Sequence, residues 1–180
     1  LRNLMYTAAY GAEAPFVIRY PRGQGELKNW QNPMKTLEIG KGKKLREGTD
    51  LAILSIGPIG NNVTAAIDEI EKEGFRIAHY DMIFLKPIDK EILKEVAERH
   101  DKIITVENGV ITGGLGSAVL EYLSDNGYEN IHLKRIGLPD EFVTHGSIKE
   151  LNRLHNIDVE GIIKTIGEVL KIESNKFSYQ

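Results

Sequence analysis

Residues 50–56 read Asp-Leu-Ala-Ile-Leu-Ser-Ile, an almost unbroken apolar run. Runs without polar alternation are typical of strands that are covered on both faces, as in parallel sheets. The segment 62–73 then repeats apolar side chains at helical spacing and ends at Gly74, which indicates an amphipathic helix with a glycine stop. A buried strand followed by such a helix predicts an α/β fold.

The same alternation of strand and helix continues along the chain. Three helices are expected to begin at residues suited to a cap: Asp89, Ser147 with Glu150 at capping-box spacing, and Asp158. The pattern predicts a sheet of about five strands, mostly parallel, with helices on both faces. The predicted strands after the first are 75–82, 102–106 and 131–136, with a possible short strand at 36–39, and the predicted helices are 88–100, 114–124, 147–155 and 158–171.

The N-terminal part of the chain follows a different pattern. Residues 1–10 have helical spacing up to Gly11, and residues 15–20 (PFVIRY) form a strand candidate. From 21 to 48 periodicity is lost while Gly, Pro, Asn and Lys accumulate, which is typical of a linker. We expect Trp30 to pack this linker onto a surface rather than to bind a ligand.

Composition excludes several classes of protein. The net charge of the 180 residues is −3 with no concentrated basic patch, which argues against a nucleic-acid binder. The absence of cysteine excludes disulfides, a thiolate nucleophile and cysteine metal sites. Because no apolar run reaches 18 residues, no membrane span is expected, and a soluble, cytoplasmic protein is predicted. The scattered residues His79, His100, His132 and His155 show no metal-ligand spacing.

The motif Arg19-Tyr-Pro-Arg22-Gly23 places two guanidinium groups around a proline at the end of the strand candidate. Strand ends build the ligand crevices of open α/β sheets, and the planar fork of arginine suits phosphate or carboxylate. Arg22 is the better candidate for phosphate binding, and Arg19 the weaker one. A structural salt bridge is the alternative for both.

Three further features have both a functional and a structural interpretation. The glycine turn 113–116 opens a helix and could hold an anion, but it matches a dinucleotide fingerprint poorly, so close helix-to-sheet packing is favoured. Glu107 could act as an acid or base if buried, yet a cap or loop contact is more common for one carboxylate. His145 precedes the helix capped by Ser147, and no triad can be identified around it.

Taken together and in order, these motifs resemble the C-terminal portion of the 1-deoxy-D-xylulose-5-phosphate synthase family, within the transketolase-like thiamine diphosphate enzymes. The resemblance covers essentially the whole chain and implies three parts: the tail of a pyrimidine-binding middle domain (1–23), a linker (24–48) and a transketolase C-terminal domain (49–180). The motifs are RYPRG (19–23), EIGKG (38–42), LREG (45–48), MIFLKPID (82–89), TVENGVITGGLGSAVLEYL (105–123) and GLPDEFVTHGS (137–147).

The resemblance implies a transferase that condenses pyruvate with D-glyceraldehyde 3-phosphate and releases carbon dioxide, in isoprenoid, thiamine and pyridoxal biosynthesis. Arg22 matches the arginine that contacts the substrate phosphate in that family. Thiamine diphosphate and Mg²⁺ would be bound by the N-terminal and middle domains, because the GDG motif is absent from this chain. The chain is therefore expected to be a fragment of a homodimeric enzyme, inactive alone, with no catalytic, cofactor or metal residues of its own.

Two alternatives remain open at this stage. The chain could be an independent small-molecule or nucleotide-binding module that uses the turn 113–116. It could also be a purely structural assembly domain in which Arg22 makes only a salt bridge.

Overall fold

The computed structural model describes residues 1–21 and 31–171. Arg22 and Trp30 therefore lie outside the described residues. The described elements are five strands, β1 (Lys43–Arg46), β2 (Leu51–Ile56), β3 (Ile77–Asp81), β4 (Lys102–Val110) and β5 (His132–Leu138), and six α-helices, α1 (Arg2–Tyr10), α2 (Gly60–Ile70), α3 (Lys90–Arg99), α4 (Leu115–Asp125), α5 (Ile148–Leu154) and α6 (Val159–Leu170).

The five strands form one sheet in the order β1-β3-β2-β4-β5. Strands β2 to β5 run parallel, and β1 joins β3 antiparallel at one edge. The predicted fold class, a mostly parallel α/β sheet, is confirmed. Since β3 lies on one side of β2 and β4 on the other, the chain changes direction between β2 and β4, where open sheets of this kind bind ligands.

The loops at the two ends of the parallel strands form two edges of the sheet. We call the loops after the parallel strands, 57–59, 82–89, 111–114 and 139–147, the carboxyl edge. The loops that enter them, 47–50, 71–76, 100–101 and 126–131, form the amino edge.

Helices cover both faces of the sheet, as expected. Leu51 and Ile53 of β2 pack with α2 and α6 on one face, whereas Ala52 and Leu54 pack with α3 and α4 on the other. The first five residues of β2 are buried. Burial of consecutive residues explains why the segment 50–56 is apolar without alternation.

Two expected strands are absent from the described residues. Residues 15–20 and 36–39 adopt no strand conformation, because no neighbouring strand pairs with them; Val17 is 93% exposed. The fifth strand is instead β1, which lies within the predicted linker. Its sequence KKLR gives little strand signal because three of its four residues are charged. Charged side chains on an edge strand discourage pairing with other chains.

The helix termini follow the sequence closely. Asp89 accepts hydrogen bonds from the backbone of Glu91 and Ile92, Ser147 forms a capping box with Glu150, and Asp158 caps α6. Strand β4 extends four residues beyond its predicted end at Val106. Glu107, expected after the strand, lies within it.

Candidate functional site at the carboxyl edge

The segment 15–20 makes two contacts at or near the carboxyl edge. The ring of Phe16 meets that of Phe84 edge-on, with centroids 6.1 Å apart, and the guanidinium of Arg19 contacts Asn108. Arg19, the weaker of the two candidate arginines, therefore lies next to this edge.

Arg19 donates two hydrogen bonds to a single residue. Nη1 donates to Asn108 Oδ1 and Nη2 to the Asn108 carbonyl, both at 2.8 Å. Among residues 1–21 and 31–171, Arg19 forms no ion pair with a carboxylate. Its positive charge is fixed in position by neutral acceptors, which differs from the expected alternative of a salt bridge.

The glycine turn 113–116 is filled by a carboxylate of the chain itself. Glu107, 5% exposed, accepts hydrogen bonds from the backbone N–H groups of Leu115 and Gly116, both at 3.0 Å. A Cβ at position 114 would lie only 2.1 Å from Glu107 Oε2, so glycine is required there. The negative charge is stabilised by the positive N-terminal end of α4.

This arrangement argues against the phosphate-binding interpretation of the turn. The N–H groups that would hold an external anion already donate to Glu107. A Cβ at Gly116 would come within 2.8 Å of Thr105 Oγ1 and 2.7 Å of Arg135 Cδ. Gly114 and Gly116 therefore serve close packing against Glu107 and the sheet, which supports the structural interpretation.

Ser55 of β2 and His79 of β3 form a buried pair near the same edge. The sequence does not predict this pair. Ser55 Oγ and His79 Nε2 are 2.8 Å apart, with residue exposures of 0% and 1%. Burial, assisted by the nearby charge of Arg46, lowers the pKa of His79 to about 4, so its ring is neutral near pH 7. Because no substrate can reach these side chains, the pair is structural; adjacent parallel strands, not sequence spacing, bring them together.

Asp81 is a second titratable group at the end of β3. It accepts a hydrogen bond from the backbone N–H of Ile83 at 3.1 Å. Burial raises the pKa of its carboxyl. Asp81 lies opposite Ser55 in the β2–β3 pairing, a proximity that sequence spacing did not predict.

The remaining sequence candidates lie apart from one another. His145 is exposed in the loop 139–147 together with Phe142. Within residues 1–21 and 31–171, no group of three His, Asp or Glu side chains could hold a metal ion. No helix in the same part of the chain has the length and hydropathy needed to cross a membrane.

A family model described as "Transketolase, C-terminal domain" matches residues 40–162, more than half of the chain. The chain belongs to this family. The solved structures agree: a split-gene transketolase described as an inactive beta4 tetramer has a TM-score of 0.70 at 30% identity, over 77% of this chain and 45% of its own. A transketolase mutant from Pichia stipitis shares the fold, with a TM-score of 0.55 at 17% identity over 73% of this chain and 18% of its own.

Curated relatives of this transketolase C-terminal domain are named 1-deoxy-D-xylulose-5-phosphate synthase, as the sequence motifs predicted. Those from Parabacteroides distasonis, Phocaeicola vulgatus and Listeria innocua are 60%, 54% and 36% identical over 92%, 92% and 94% of the chain. The chain covers 26%, 26% and 27% of their respective lengths. It thus spans about a quarter of the curated relatives that it matches, and those relatives contain further domains.

The described residues of this transketolase C-terminal domain do not fit thiamine diphosphate or its Mg²⁺. No metal-ligand group occurs among them, and the glycine-rich helix start that could receive a diphosphate is occupied by Glu107. The complete sequence also lacks a GDG motif. The chemistry of the cofactor therefore cannot be assigned to these residues.

Proposed function

We propose that this chain is the C-terminal part of a 1-deoxy-D-xylulose-5-phosphate synthase, with Arg22 as a ligand of the substrate phosphate. The proposal draws on the identity of 60% to the Parabacteroides distasonis synthase. The observation that supports the site assignment is the contact of Arg19, the first residue of the RYPRG motif, with Asn108 of β4. The complete enzyme would join pyruvate and D-glyceraldehyde 3-phosphate into 1-deoxy-D-xylulose 5-phosphate and release carbon dioxide.

Thiamine diphosphate, held with Mg²⁺ by other domains, would supply the carbanion chemistry in this proposal. This chain would contribute binding and orientation of the aldehyde substrate. The guanidinium of Arg22 offers a planar pair of donors that fits two phosphate oxygens. Binding the phosphate at a distance from the reacting carbonyl orients the aldehyde.

The carboxyl edge would also contact the other domains of the synthase. Leu85, Phe142 and Val143 of its loops are exposed by 40%, 103% and 36%. Clusters of exposed apolar side chains are typical of protein interaction sites. The split-gene transketolase neighbour, described as an inactive tetramer of its β chain, supports the further proposal that this chain can self-associate and is inactive alone.

The role of Arg22 can be tested in the Parabacteroides distasonis synthase with this chain in place of its matching region. The Arg22→Ala variant is expected to raise the KM for D-glyceraldehyde 3-phosphate about 10-fold or more, since a charge-assisted hydrogen bond contributes about 1.5–3 kcal/mol. The KM for pyruvate should change by less than 2-fold. Arg76→Ala, at an exposed arginine of the amino edge, is the matched control and should leave both constants unchanged.

The same measurement separates this proposal from a purely structural assembly domain. If Arg22→Ala leaves the KM for the aldehyde unchanged, the phosphate-binding role is wrong. The 180-residue chain alone, supplied with substrates, thiamine diphosphate and Mg²⁺, is expected to form no product. Product formation by the chain alone would contradict the proposed division of labour.

A further inference from the structure

Strand β5 forms a lateral edge of the sheet, since β4 is the only strand that pairs with it in the part of the chain that the structure describes. Backbone hydrogen bonds join the N–H of His132 and the carbonyl of Leu138 to residues that flank β4. The main-chain groups of successive residues point to opposite sides of a strand, so the even-numbered residues of β5 face β4. The N–H and C=O groups that point outward belong to Leu133, Arg135 and Gly137.

A groove of about 250 Å³ borders this outer edge of β5. Its walls are residues 134–137 of the strand, residues 155–156 at the end of α5, and one side of α6. An extended backbone offers the same alternation of donors and acceptors as the strand edge beside it. Segments that join a free edge gain affinity from main-chain hydrogen bonds and specificity from alternate side chains.

Two exposed lysines, Lys134 of β5 and Lys164 of α6, give the groove a positive charge. They lie on the same face of the sheet, because Ile136, two residues after Lys134, packs in the cluster that contains α6. Within residues 1–21 and 31–171, neither lysine forms an ion pair. Glu168 is the one acidic residue among those that line the groove, so positive charge prevails there.

The opposite lateral edge of the sheet, β1, is built differently. It is four residues long, and two of its three cations, Lys44 and Arg46, each form ion pairs with two carboxylates of the chain. Strand β5 is seven residues long, and its Lys134 has no such partner. A charged edge repels a strand of like charge, so β5 disfavours a second copy of itself and favours an acidic strand.

We infer that the outer edge of β5 is a docking site for an extended acidic segment of another protein, which joins the sheet as a sixth strand. An acidic side chain opposite Lys134 would lie between the ammonium groups of Lys134 and Lys164. The inference goes beyond the proposed function, which assigns the other domains of the synthase to the carboxyl edge and leaves this lateral edge open.

Amide exchange measured by NMR on the 180-residue chain tests the edge residue by residue. Without a ligand, the amides of Arg135 and Gly137 should exchange at least about 10-fold faster than those of Lys134 and Ile136, because only the latter donate within the sheet. The probe is a seven-residue peptide, blocked at both ends, in which glutamate alternates with valine. It should slow exchange at Arg135 and Gly137 at least about 3-fold.

Three results of this measurement would overturn the inference. Slow exchange at Arg135 and Gly137 in the free chain would show that the edge is already covered, by the chain itself or by a second copy. Binding that leaves these two amides unchanged would place the peptide elsewhere. A peptide with proline in place of valine lacks those main-chain donors and should bind at least about 5-fold more weakly; equal affinity would show that charge alone is recognised.

Variants of the groove test its charge through the affinity of the fluorescently labelled acidic peptide. Lys134→Glu is expected to weaken binding about 5- to 10-fold, and the milder Lys134→Gln about 2- to 3-fold. Lys72→Glu, at an exposed lysine of the amino edge, makes the same charge change and should leave the affinity unchanged. Equal losses for Lys134→Glu and Lys72→Glu would overturn the inference, because binding would then follow net charge.

The full-length synthase that carries this chain shows whether the edge stays open in the complete protein. The acidic peptide should bind it with the same affinity as the 180-residue chain, within about 2-fold, and Arg22→Ala should not change that affinity. Loss of binding in the full-length protein would show that another domain covers the edge, which would overturn the inference. The kinetics of Arg22→Ala bear only on the proposed function, so the two can fail separately.

Discussion

At the amino edge of the sheet, the loops bind one another. The backbone N–H groups of Thr49 and Asp50 both donate to the carbonyl of Arg76, and the Asp50 carboxylate accepts from the Arg76 backbone in return. The ring of His100 lies within hydrogen-bond distance, 3.1 Å, of the carbonyl of Gly48. No large apolar side chain in the four loops of this edge, all of which the structure describes, is exposed.

At the carboxyl edge, a buried hydrogen-bonded carboxylate lies next to loops that expose apolar side chains to solvent. Glu107 closes the first turn of α4 from beneath, yet Phe142 is fully exposed and Leu85 lies 40% exposed. The segment 11–21 crosses this edge, and Val17 is 93% exposed. In this segment Phe16 packs against Phe84 and Arg19 binds Asn108, whereas Val17 meets solvent.

The difference indicates where function and contacts belong in this domain. At the amino edge the loop backbones bind one another and no large apolar side chain is exposed, which fits a solvated face. The carboxyl edge combines a rigid base with an exposed apolar rim and a cation held by neutral acceptors. Such an edge is suited to receive both a protein surface and an anionic substrate.

The largest effect on stability is expected from Gly114→Ala, which would break the rigid base of the carboxyl edge. The added Cβ would lie 2.1 Å from Glu107 Oε2, so the buried carboxylate must leave its two backbone donors. Leaving a buried charge without its partners costs about 3–4 kcal/mol. Urea denaturation of the 180-residue chain should show this loss of unfolding free energy.

Gly113→Ala is the matched control in the same turn. Gly113 has a positive φ of 74°, and a Cβ there would meet no atom within 4 Å. Only the backbone preference is lost, which costs about 1–2 kcal/mol. Equal losses for the two variants would show that Glu107 does not depend on the space at Gly114.

The next largest effect is the dependence of stability on pH through His79. Its pKa of about 4 in the folded chain lies below the ordinary value of 6.5, so below pH 6.5 the unfolded chain binds a proton that the folded chain does not. Stability is therefore complete above pH 6.5 and falls as the pH decreases toward 4, by about 3 kcal/mol at 1.36 kcal/mol per unit. Urea denaturation at pH 7.5, 6, 5 and 4 measures the slope.

His79→Gln supplies the comparison for that slope, since glutamine can bind Ser55 but does not titrate. The raised pKa of Asp81 acts in the opposite direction, because protonation of that carboxyl favours the folded chain. Asp81 is present in both proteins, so the difference between the two slopes isolates His79. Parallel slopes would show that another group controls acid sensitivity.

The elements could be predicted where a local pattern determines them. The largely apolar run 50–56 predicted a strand because β2 is covered by helices on both faces. Asp89, Ser147 and Asp158 predicted helix starts because capping involves residues two or three positions away. Strand β1 was missed because its charged residues are stabilised by ion pairs with other elements, such as that of Arg46 with Asp68.

The site depended on contacts that are remote in sequence. Neither the pairing of Arg19 with Asn108 nor that of Ser55 with His79 follows a spacing rule. Strand order brings Ser55 and His79 together, whereas Arg19 reaches Asn108 from a segment outside the sheet. In residues 107–109 (ENG), only the carboxylate of Glu107 suggests a functional role from the sequence. The asparagine of this motif, which makes the contact with the RYPRG segment, had no signal of its own in a single sequence.

The smallest effect on the stability of the chain is expected from Phe142→Ser. The side chain is fully exposed, so its loss should change the unfolding free energy of the 180-residue chain by less than about 0.5 kcal/mol. In the full-length synthase that carries this chain, other domains would cover Phe142. There the same variant should lower stability by about 1.5–3 kcal/mol, the free energy of burying such a side chain, and a thermal unfolding series in both proteins measures the difference.

Leu120→Ser tests whether that difference belongs to the carboxyl edge or to exposed apolar residues in general. Leu120 is 49% exposed on α4, in the middle of the helix rather than in a loop of either edge. The Leu120→Ser variant should change the unfolding free energy very little, both in the isolated chain and in the full-length synthase. A similar response to Phe142→Ser in the two proteins would mean that no domain covers the carboxyl edge, and the contrast between the two edges would then reflect only how the chain folds. A loss specific to Phe142 in the full-length protein would instead link the exposed apolar side chains of the carboxyl edge to assembly.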